Sequence, residues 1–273
     1  MLTVGLIAII DPPPGTAGMA VVLAALVGAT AWNFITWYFG LPSSSSQALI
    51  GGLVGAGLAS SSTVHWTTGV VDKVIIPMIL SPTVGLVGGY LLMVIALWLL
   101  RKANPHRVDR GFRIAQVFPA TSLALGHGLQ DAQKSMGIIV LALVTAGHQQ
   151  NYEVPIWVVL LCALALAAGT YSGGWRIMRT LGRRIFPLRP VHGFVAEMTA
   201  STVLYLTAIV IAAPISTTQV MTASVMGVGS TRRISAVRWG VAREIGVAWV
   251  LTLPAAATIA ALAYPLSMLL APG

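Results

Sequence analysis

Long apolar stretches separated by short polar ones make up most of this sequence. Several of them reach about the 20 residues that a helix needs to cross a bilayer. They lie at positions 16–40, 84–100, 112–146, 154–174, 193–213 and 247–270. The strict alternation of apolar and polar residues that marks an outer-membrane barrel is missing. The pattern therefore predicts an all-α protein that crosses the membrane several times.

Composition supports this prediction and locates the basic residues. Hydrophobic residues make up 56% of the 273 residues and charged residues only 8%, whereas soluble domains carry about 25% charged residues. The net charge of +9 comes mainly from short connecting stretches, above all 101–113 and 176–189. The positive-inside rule places such stretches in the cytoplasm. We therefore expect a multi-pass protein of the cell (inner or plasma) membrane, with both stretches cytoplasmic and no nucleic-acid partner.

One motif occurs twice, at positions 42–57 and 214–229. Each copy begins with a proline and a run of hydroxyl side chains, continues with a glutamine and ends in small residues with two glycines. The glutamines, Gln47 and Gln219, lie 172 positions apart. The glycines are typical of helices that pack closely in membranes. The glutamines either line a cavity or form a bond between packed helices.

The start of each copy has the residue types of an anion-binding helix start. A proline suits the first helical position, because its missing N–H has no partner there in any case. Ser and Thr side chains cap the free N–H groups of a first turn, and the positive end of the helix dipole attracts anions. The alternative is ordinary N-capping without a ligand. The candidate anion-binding residues are Ser44, Ser45, Ser46, Ser216, Thr217 and Thr218.

The stretches that follow the two copies differ in charge. The first contains one Lys and one Asp, whereas the second contains four Arg and one Glu. By the positive-inside rule the first lies outside and the second inside. The two copies then have opposite orientations, which predicts an inverted-repeat transporter with broken helices and short half-helices. We expect an incomplete first repeat at 1–101, a cytoplasmic loop at 102–113 and a second repeat at 114–273.

The segment 126–137 (GHGLQDAQKSMG) places polar residues between glycines inside an apolar stretch. This pattern predicts a discontinuous helix whose irregular backbone lines a cavity. Asp131 is the strongest candidate for chemistry there, because an ionisable residue inside a membrane is costly and usually functional. Its carboxylate can bind Na⁺ or carry a proton. The alternative is a structural ion pair with Lys134, three residues along the same helix face.

The residues around this aspartate leave several interpretations open. Lys134 either offsets the charge of a bound anion or only neutralises the aspartate. Gln130 and Gln133 either ligate a cation through their amide oxygens or stabilise the break. Glu197 is either a further cation ligand in the cavity or a group near the cytoplasmic interface. His127 stays outside the predicted site, because a single histidine in such a position is more often structural.

The spacing of the repeat makes a further prediction. Asp131 lies before the second copy of the motif. An equivalent residue at the same distance before the first copy would lie about 40 residues before Met1. We therefore expect the chain to lack the broken helix of the first repeat.

Between the copies, residues 65–80 mix charged and aromatic side chains with apolar ones, which predicts a helix at the membrane interface that ends at Ser81 and Pro82.

Enzyme signatures are missing from the sequence. It contains no H-E-x-x-H, no G-x-x-x-x-G-K-[ST], no G-x-S-x-G and no Cys/His cluster with metal-ligand spacing. A lone Cys162 inside an apolar stretch is typical of packing. We therefore expect no enzyme activity, and no cofactor beyond a coupling ion.

These motifs together resemble the inorganic phosphate transporter (PiT) family. GHGLQDAQKSMGII resembles the family's second-half signature, written Gly-x-Asn-Asp followed by Ala-Gln-Lys and Met-Gly-Ile. LPSSSSQALIGG and PISTTQVMTASVMGVG resemble its two Pro-x-Ser-[ST]-[ST]-[HQ] motifs, and DPPPGTAG and GFVAEMTASTV also fit. Two features depart from the family: Gln130 stands where the family has Asn, and the family's first Asn-Asp motif has no counterpart.

The resemblance implies a cation-coupled phosphate symporter that works by alternating access and is dimeric in known members. Its partners would be inorganic phosphate, Na⁺ or H⁺, the lipid bilayer and a second copy of the chain. Asp131 would sit at the cation and phosphate site, and the two hydroxyl runs, Ser44–Ser46 and Ser216–Thr218, would hold phosphate.

Three alternatives to a phosphate symporter remain at this point. The first is a carrier of another oxyanion such as sulfate, because N–H groups and hydroxyls do not by themselves distinguish the two ions. The second is a membrane phosphatase acting on lipid pyrophosphate, although the Arg residues that it would need in the membrane lie in loops. The third is a truncated fragment that does not transport.

Overall fold

The computed structural model describes residues 9–208 and 215–271, and most of them are helical. The helices are α1 (Thr16–Phe39), α2 (Ser45–Ala59), α3 (Ile76–Leu100), α4 (Pro105–Ala115), α5 (Val117–Thr145), α6 (Ile156–Gly173), α7 (Trp175–Arg179), α8 (Pro190–Leu206), α9 (Thr217–Ser230) and α10 (Trp239–Leu270). Strands β1 (Ile10–Asp11) and β2 (Thr63–Val64) form one short antiparallel pair. π-Helical turns cover Trp66–Ile75 and Thr180–Arg184, and a 3₁₀ turn covers Ile234–Ala236.

Within the part of the chain that the structure describes, four helical segments are long and apolar enough to cross a membrane. They are Thr16–Phe39, Trp66–Leu100, Ile156–Gly173 and Trp239–Leu270. This confirms the all-α, multi-pass fold class. Helices α2 and α9 have only 15 and 14 residues, so each is about 22 Å long at 1.5 Å per residue. They are the short half-helices that the repeated motif predicted. Pro214 and the end of the apolar stretch 193–213 lie outside the described residues. Residues 1–8 also lie outside them.

The break expected at 126–137 does not occur, because α5 runs without interruption from Val117 to Thr145. An isolated glycine costs a helix only about 1 kcal/mol, whereas backbone groups freed inside a membrane cost several. Packing against α8 also supports this part of the helix. The Tyr205 hydroxyl donates to the Ser122 carbonyl at 2.9 Å, and Gly126 is buried there.

The prediction that a helix ends at Ser81 and Pro82 is also wrong. The π-helical turn 66–75 continues directly into α3, and Pro82 lies inside that helix. A proline inside a helix leaves a carbonyl without its usual donor. For Pro82 this is the Met78 carbonyl, four residues earlier. The Thr83 hydroxyl donates to the next carbonyl, that of Ile79, at 2.8 Å, and such Ser and Thr bonds support the backbone around a proline in membrane helices.

Part of the basic stretch 101–113 is helical rather than a plain loop. Helix α4 begins at Pro105, and the side chain of Asn104 caps it by accepting the His106 N–H at 2.9 Å. Phe112 of α4 stacks edge-on against Phe194 of α8. The connection between the two halves of the chain is therefore docked on α8.

The long helices form two groups that exchange members. Helix α2 packs on α1, and α9 packs on α8. Helix α3 follows α2 in the chain but packs against α8 and α9, whereas α10 follows α9 but packs against α1 and α2. Helix α5 contacts α8, α1 and α6. Each half of the chain therefore supplies one helix to the group formed by the other half.

Two glycines at matching places in the repeated motif allow this exchange. A Cβ atom on Gly55 of α2 would collide with the Ala257 carbonyl oxygen of α10, and one on Gly227 of α9 would collide with the Leu86 carbonyl oxygen of α3. Small residues let membrane helices approach closely. The glycines thus pack the two half-helices against the exchanged helices, as their sequence suggested.

Candidate functional site

Helices α2 and α9 begin with the same cap. The Ser44 hydroxyl accepts the Gln47 N–H at 3.3 Å, and the Ser216 hydroxyl accepts the Gln219 N–H at the same distance. Both serines are buried. The capping interpretation therefore holds for these two residues. It does not exclude anion binding, because a helix start has four N–H groups without helical partners and one cap satisfies only one of them.

The two capped starts meet at a pair of glutamines. The side-chain amides of Gln47 and Gln219 donate to each other's carbonyl oxygens, both at 3.3 Å. Their residues are only 4% and 0% exposed. The two copies of the motif, far apart in sequence, therefore form one site in which two positive helix ends converge.

A small cavity lies at this junction. Its volume is about 10 Å³, and its lining includes Ser44, Ser46, Gln47, Ile50, Val74, Pro77, Met78 and Ser216. This is room for about one water molecule, which is too little for a tetrahedral oxyanion. Among the described residues, this junction therefore leaves no room for an oxyanion in this conformation. Val74 of the π-helical turn and Pro77 and Met78 of the first turn of α3 contribute lining that the sequence did not predict.

A charged centre on α5 adjoins the start of α9. Lys134 Nζ donates to Oδ1 of Asp131 at 3.1 Å, and the two side chains are only 11% and 17% exposed. The Nδ1 atom of His127 lies 3.6 Å from the other carboxylate oxygen and 2.8 Å from the Thr217 hydroxyl. The Lys134 ion pair expected as the alternative role is therefore present, and the carboxylate is also connected to the second hydroxyl run.

The remaining candidates around this centre are arranged differently. Gln130 is 7% exposed; its amide nitrogen lies 3.5 Å from the Leu204 carbonyl, and its Oε1 atom has no partner among the described residues. Its unpartnered buried oxygen is of a type that ligates cations, but Gln130 neighbours Asp131 only in sequence, and adjacent residues of a helix do not face each other. Gln133 lies on an exposed face of α5 instead.

The hydroxyl runs also divide into inward and outward members. Ser46 is 8% exposed and lines the cavity. Thr217 is 7% exposed and contacts α5, and Thr218 is partly buried. Ser45 holds the same position in the first run as Thr217 does in the second, but it is exposed. Position in the repeat therefore does not determine the surroundings.

Glu197 belongs to a separate network between α4 and α8. It accepts a bond from the Gln116 amide at 3.3 Å, and its second oxygen is buried without a partner among the described residues. Two turns away, Arg189 pairs with Asp109 at 2.6 Å. Glu197 is thus bound beside α4, and its contacts do not include Asp131.

His192, at the start of α8, lies in the same network. Its Nδ1 atom accepts the Arg189 backbone N–H at 3.2 Å. Burial, together with the positive charges of Arg189 and Arg232, lowers the pKa of His192 to about 4. The neutral imidazole is therefore the form that accepts this bond at neutral pH.

Hydrogen bonds to neighbouring helices hold the loop before α2. The Trp249 indole N–H of α10 donates to the Pro42 carbonyl at 2.8 Å. The Thr36 and Ser43 hydroxyls are bonded at 2.7 Å. Both of these contacts, which hold the first hydroxyl run in place, are between neutral groups.

Comparison with known proteins identifies the family. The sequence profile of the phosphate transporter family matches residues 3–260, which is nearly the whole chain. The chain belongs to the phosphate transporter family. The resemblance that the motifs indicated is thereby confirmed.

Relatives in this family cover most of the chain. A protein of Rhizobium meliloti described as a "probable low-affinity inorganic phosphate transporter" is 48% identical over 94% of this chain and 76% of its own length. A Bacillus subtilis protein with the same description is 41% identical over 94% of this chain and 77% of its own length. A Mycobacterium tuberculosis relative is 45% identical over 91% of this chain but only 60% of its own length. All three are described as transporters, which agrees with the lack of enzyme motifs.

A solved structure shares the fold. It is described as "the sodium-dependent phosphate transporter", has a TM-score of 0.72 and 22% sequence identity, and matches 90% of this chain and 79% of its own. The helical architecture of this family member is therefore one already seen in a transporter.

Sequence reasoning missed several contributors to the site, among them His127, Trp249 and Met78. His127 is four residues before Asp131 and so on the same helix face, and this spacing was a signal that it contacts the carboxylate. Trp249 and Met78 gave no such signal, because only the packing of α10 and α3 brings them to the motif.

No three His, Cys, Asp or Glu residues within 9–208 and 215–271 are grouped as a metal site. A cation at Asp131 would accordingly need amide or backbone oxygens.

Proposed function

We propose that this protein is an inorganic phosphate permease that carries phosphate together with Na⁺ or H⁺ by alternating access. The observation that carries the proposal is the meeting of two capped helix starts across the Gln47–Gln219 pair. Free N–H groups, hydroxyls and two positive dipole ends then face one place, which is the arrangement that holds phosphate groups at helix starts. Ser44–Ser46 and Ser216–Thr218 would supply the hydroxyls.

The exchange of helices between the two halves supports an inverted repeat. The first repeat would occupy 1–101, the second 114–273, and 102–113 would connect them on the cytoplasmic side. Helices α2 and α9 would enter the membrane from opposite sides and meet near its middle. Rocking one helix group against the other would then open the closed cavity to each side in turn.

Asp131 is the proposed site of the coupling cation. Hard cations such as Na⁺ prefer carboxylate and carbonyl oxygens, and the unpartnered Oε1 of Gln130 is next to this carboxylate in sequence. Gln133 and Glu197 were also proposed from the sequence as cation ligands. To reach a cation at Asp131, Gln133 would have to leave its exposed position and Glu197 its bond to Gln116. Lys134 would offset phosphate charge when a cation replaces it at Asp131. The sodium-dependent protein with the same fold favours Na⁺ over H⁺ as the first ion to test.

The proposed setting is a homodimer in the cell membrane with the stretches 101–113 and 176–189 cytoplasmic. The apolar side chains of α6 support this setting, because most of that helix is exposed in the single chain. Lipid or a second copy would cover it.

The test is uptake of radiolabelled phosphate by the purified full chain in sealed proteoliposomes. An inward Na⁺ gradient, an inward H⁺ gradient and no gradient are compared, and protein-free vesicles give the background. We expect uptake above background that one of the two gradients drives against a phosphate gradient. Gradient-independent uptake would contradict symport, and uptake at background would contradict phosphate transport and favour a fragment that does not transport.

The same vesicles discriminate between oxyanions, since hydroxyls and N–H groups can hold sulfate as well as phosphate. A tenfold excess of unlabelled arsenate or sulfate is added to the outside. Competition by arsenate but not sulfate is expected for a phosphate carrier, whereas strong competition by sulfate would favour a general oxyanion permease. Release of phosphate from lipid pyrophosphate by the purified protein would instead support a phosphatase.

A further inference from the structure

His127 connects two parts of the candidate site that are separate in the sequence. Its Nδ1 atom lies 2.8 Å from the Thr217 hydroxyl oxygen of α9 and 3.6 Å from Oδ2 of Asp131, one turn along α5. We infer that His127 is a positioning residue: held by the ionised Asp131, it directs the Thr217 hydroxyl proton toward bound phosphate. This inference rests on the proposed function.

The direction of the Thr217 bond depends on where the imidazole carries its proton. A neutral imidazole donates from one nitrogen and accepts at the other. If Nδ1 carried the lone pair, that lone pair would face the Asp131 carboxylate, and the two would repel. Lys134 already occupies Oδ1 of this carboxylate, which leaves Oδ2 for the ring. The ionised carboxylate therefore favours the form in which Nδ1–H donates.

That form leaves the Thr217 proton available to another acceptor. A hydroxyl has one proton and accepts through its oxygen, so accepting from Nδ1–H leaves its own O–H free. Thr217 is the first residue of α9, directly after the cap Ser216 that lines the cavity. A phosphate oxygen at this helix start would be a charged acceptor, and bonds to charged groups are the stronger ones. Ser45, at the same repeat position, is exposed and offers a matched comparison.

Two amide substitutions separate positioning from a purely structural contact. His127→Asn places an amide near the position of Nδ1, His127→Gln places it near the position of Nε2, and His127→Leu removes it. In the proteoliposome assay we expect the KM for phosphate to rise about tenfold in the Leu and Gln variants, as for the loss of one hydrogen bond to a charged group. The Asn variant should stay within about threefold of the unaltered chain, with similar maximal rates throughout. An Asn variant as poor as the Leu variant would overturn the inference.

A double-mutant cycle tests whether His127 acts through Thr217. Thr217→Val should raise KM as much as His127→Leu, and the double variant should be no worse than either, because both remove the same arrangement. The matched control is Ser45→Ala with His127→Leu, whose effects should multiply. Multiplying effects for His127 and Thr217 would contradict the inference.

Histidine nitrogen NMR gives a readout that does not need transport. In protein labelled with ¹⁵N-histidine, the His127 signal is assigned by its loss in His127→Asn, and it should report a proton on Nδ1. In Asp131→Ala the proton should move to Nε2. A proton on Nε2 in the unaltered chain would overturn the inference even if phosphate uptake is normal. Lack of uptake together with a proton on Nδ1 would refute the proposed function and leave the Asp131–His127 arrangement standing.

Discussion

The starts of α2 and α9 have the same cap but different neighbours. Each uses a serine to cap a glutamine N–H, and the two glutamines bond to each other. Around α2, neutral groups hold the loop, with the Trp249 indole on the Pro42 carbonyl. Around α9, Thr217 contacts His127, which leads to the charged pair of Asp131 and Lys134.

This difference indicates a division of roles between two similar helix starts. Capping is a local property, so one motif produces it twice. The charged centre comes from α5, which packs on α8 beside α9, and in the described residues only the second start contacts such a centre. We expect both starts to hold the anion and the second also to sense the cation.

The largest effect is expected where the charged centre itself is removed. Asp131→Asn keeps the side-chain shape but loses the negative charge that would hold the cation, so phosphate uptake in proteoliposomes should fall to background. The matched control is Asp72→Asn, an exposed carboxylate outside the site, which should keep near-normal uptake. Near-normal uptake by Asp131→Asn would remove this residue from the mechanism and end the proposed division of roles.

A negative charge at either cap tests whether both starts bind the anion. Ser44→Asp and Ser216→Asp retain a capping oxygen but repel phosphate. Two unit charges about 4 Å apart repel by about 4 kcal/mol at an effective dielectric constant of about 20. We expect at least a tenfold rise in the KM for phosphate in both variants, measured by uptake, and little change for the exposed Ser235→Asp. A rise in one variant alone would show that only that start binds the anion.

Enlarging the two interface glycines tests the symmetry of packing. Gly55→Ala and Gly227→Ala each bring a Cβ into a backbone carbonyl of the partner helix, and overpacking costs about 1–3 kcal/mol. Both should lower the apparent melting temperature in detergent by similar amounts. Gly246→Ala has open space around it and should stabilise α10 by about 0.5–1 kcal/mol. Unequal losses at Gly55 and Gly227 would mean that the two half-helices are not packed equivalently.

A loss of stability no larger than that at the glycines is expected at the glutamine pair. Gln47→Ala or Gln219→Ala leaves the other buried amide without its partner, which costs about 1–3 kcal/mol. The two single variants should be destabilised alike, and the double variant by less than their sum. Thermal unfolding in detergent measures this, with the exposed Gln133→Ala as a control for stability. Additive losses would show that the two amides act independently.

Local patterns predicted much of the fold. The apolar stretches 16–40 and 154–174 correspond closely to α1 and α6, because lipid exposure requires a continuous apolar helix whatever its neighbours are. The hydroxyl runs predicted helix starts, because a cap involves residues only three positions apart. The break at 126–137 and the helix end at Pro82 were wrong for the opposite reason. Both depended on how neighbouring helices support a weak point in the backbone.

The candidate site was predicted in part. The hydroxyl runs were proposed from residue type and repetition, and Asp131 from its charge inside an apolar stretch. The pair with Lys134 was the alternative expected from helix spacing, and it is present. The sequence left Glu197 open between a cation ligand in the cavity and a group near the cytoplasmic interface, and the structure shows it bonded to Gln116. His127 was set aside although its spacing from Asp131 was visible.

The sequence by itself determined the membrane class and the two capped half-helices. It also identified Asp131 as a charged residue that is costly to place inside a membrane. These depend on composition and on contacts within one or two helical turns. Only the tertiary structure decided that Gln47 bonds Gln219, that His127 connects Asp131 to Thr217, and that Met78 helps to close the cavity. Each of these features joins residues from different helices, so it depends on how α2, α3, α5 and α9 pack together and not on contacts within one or two turns.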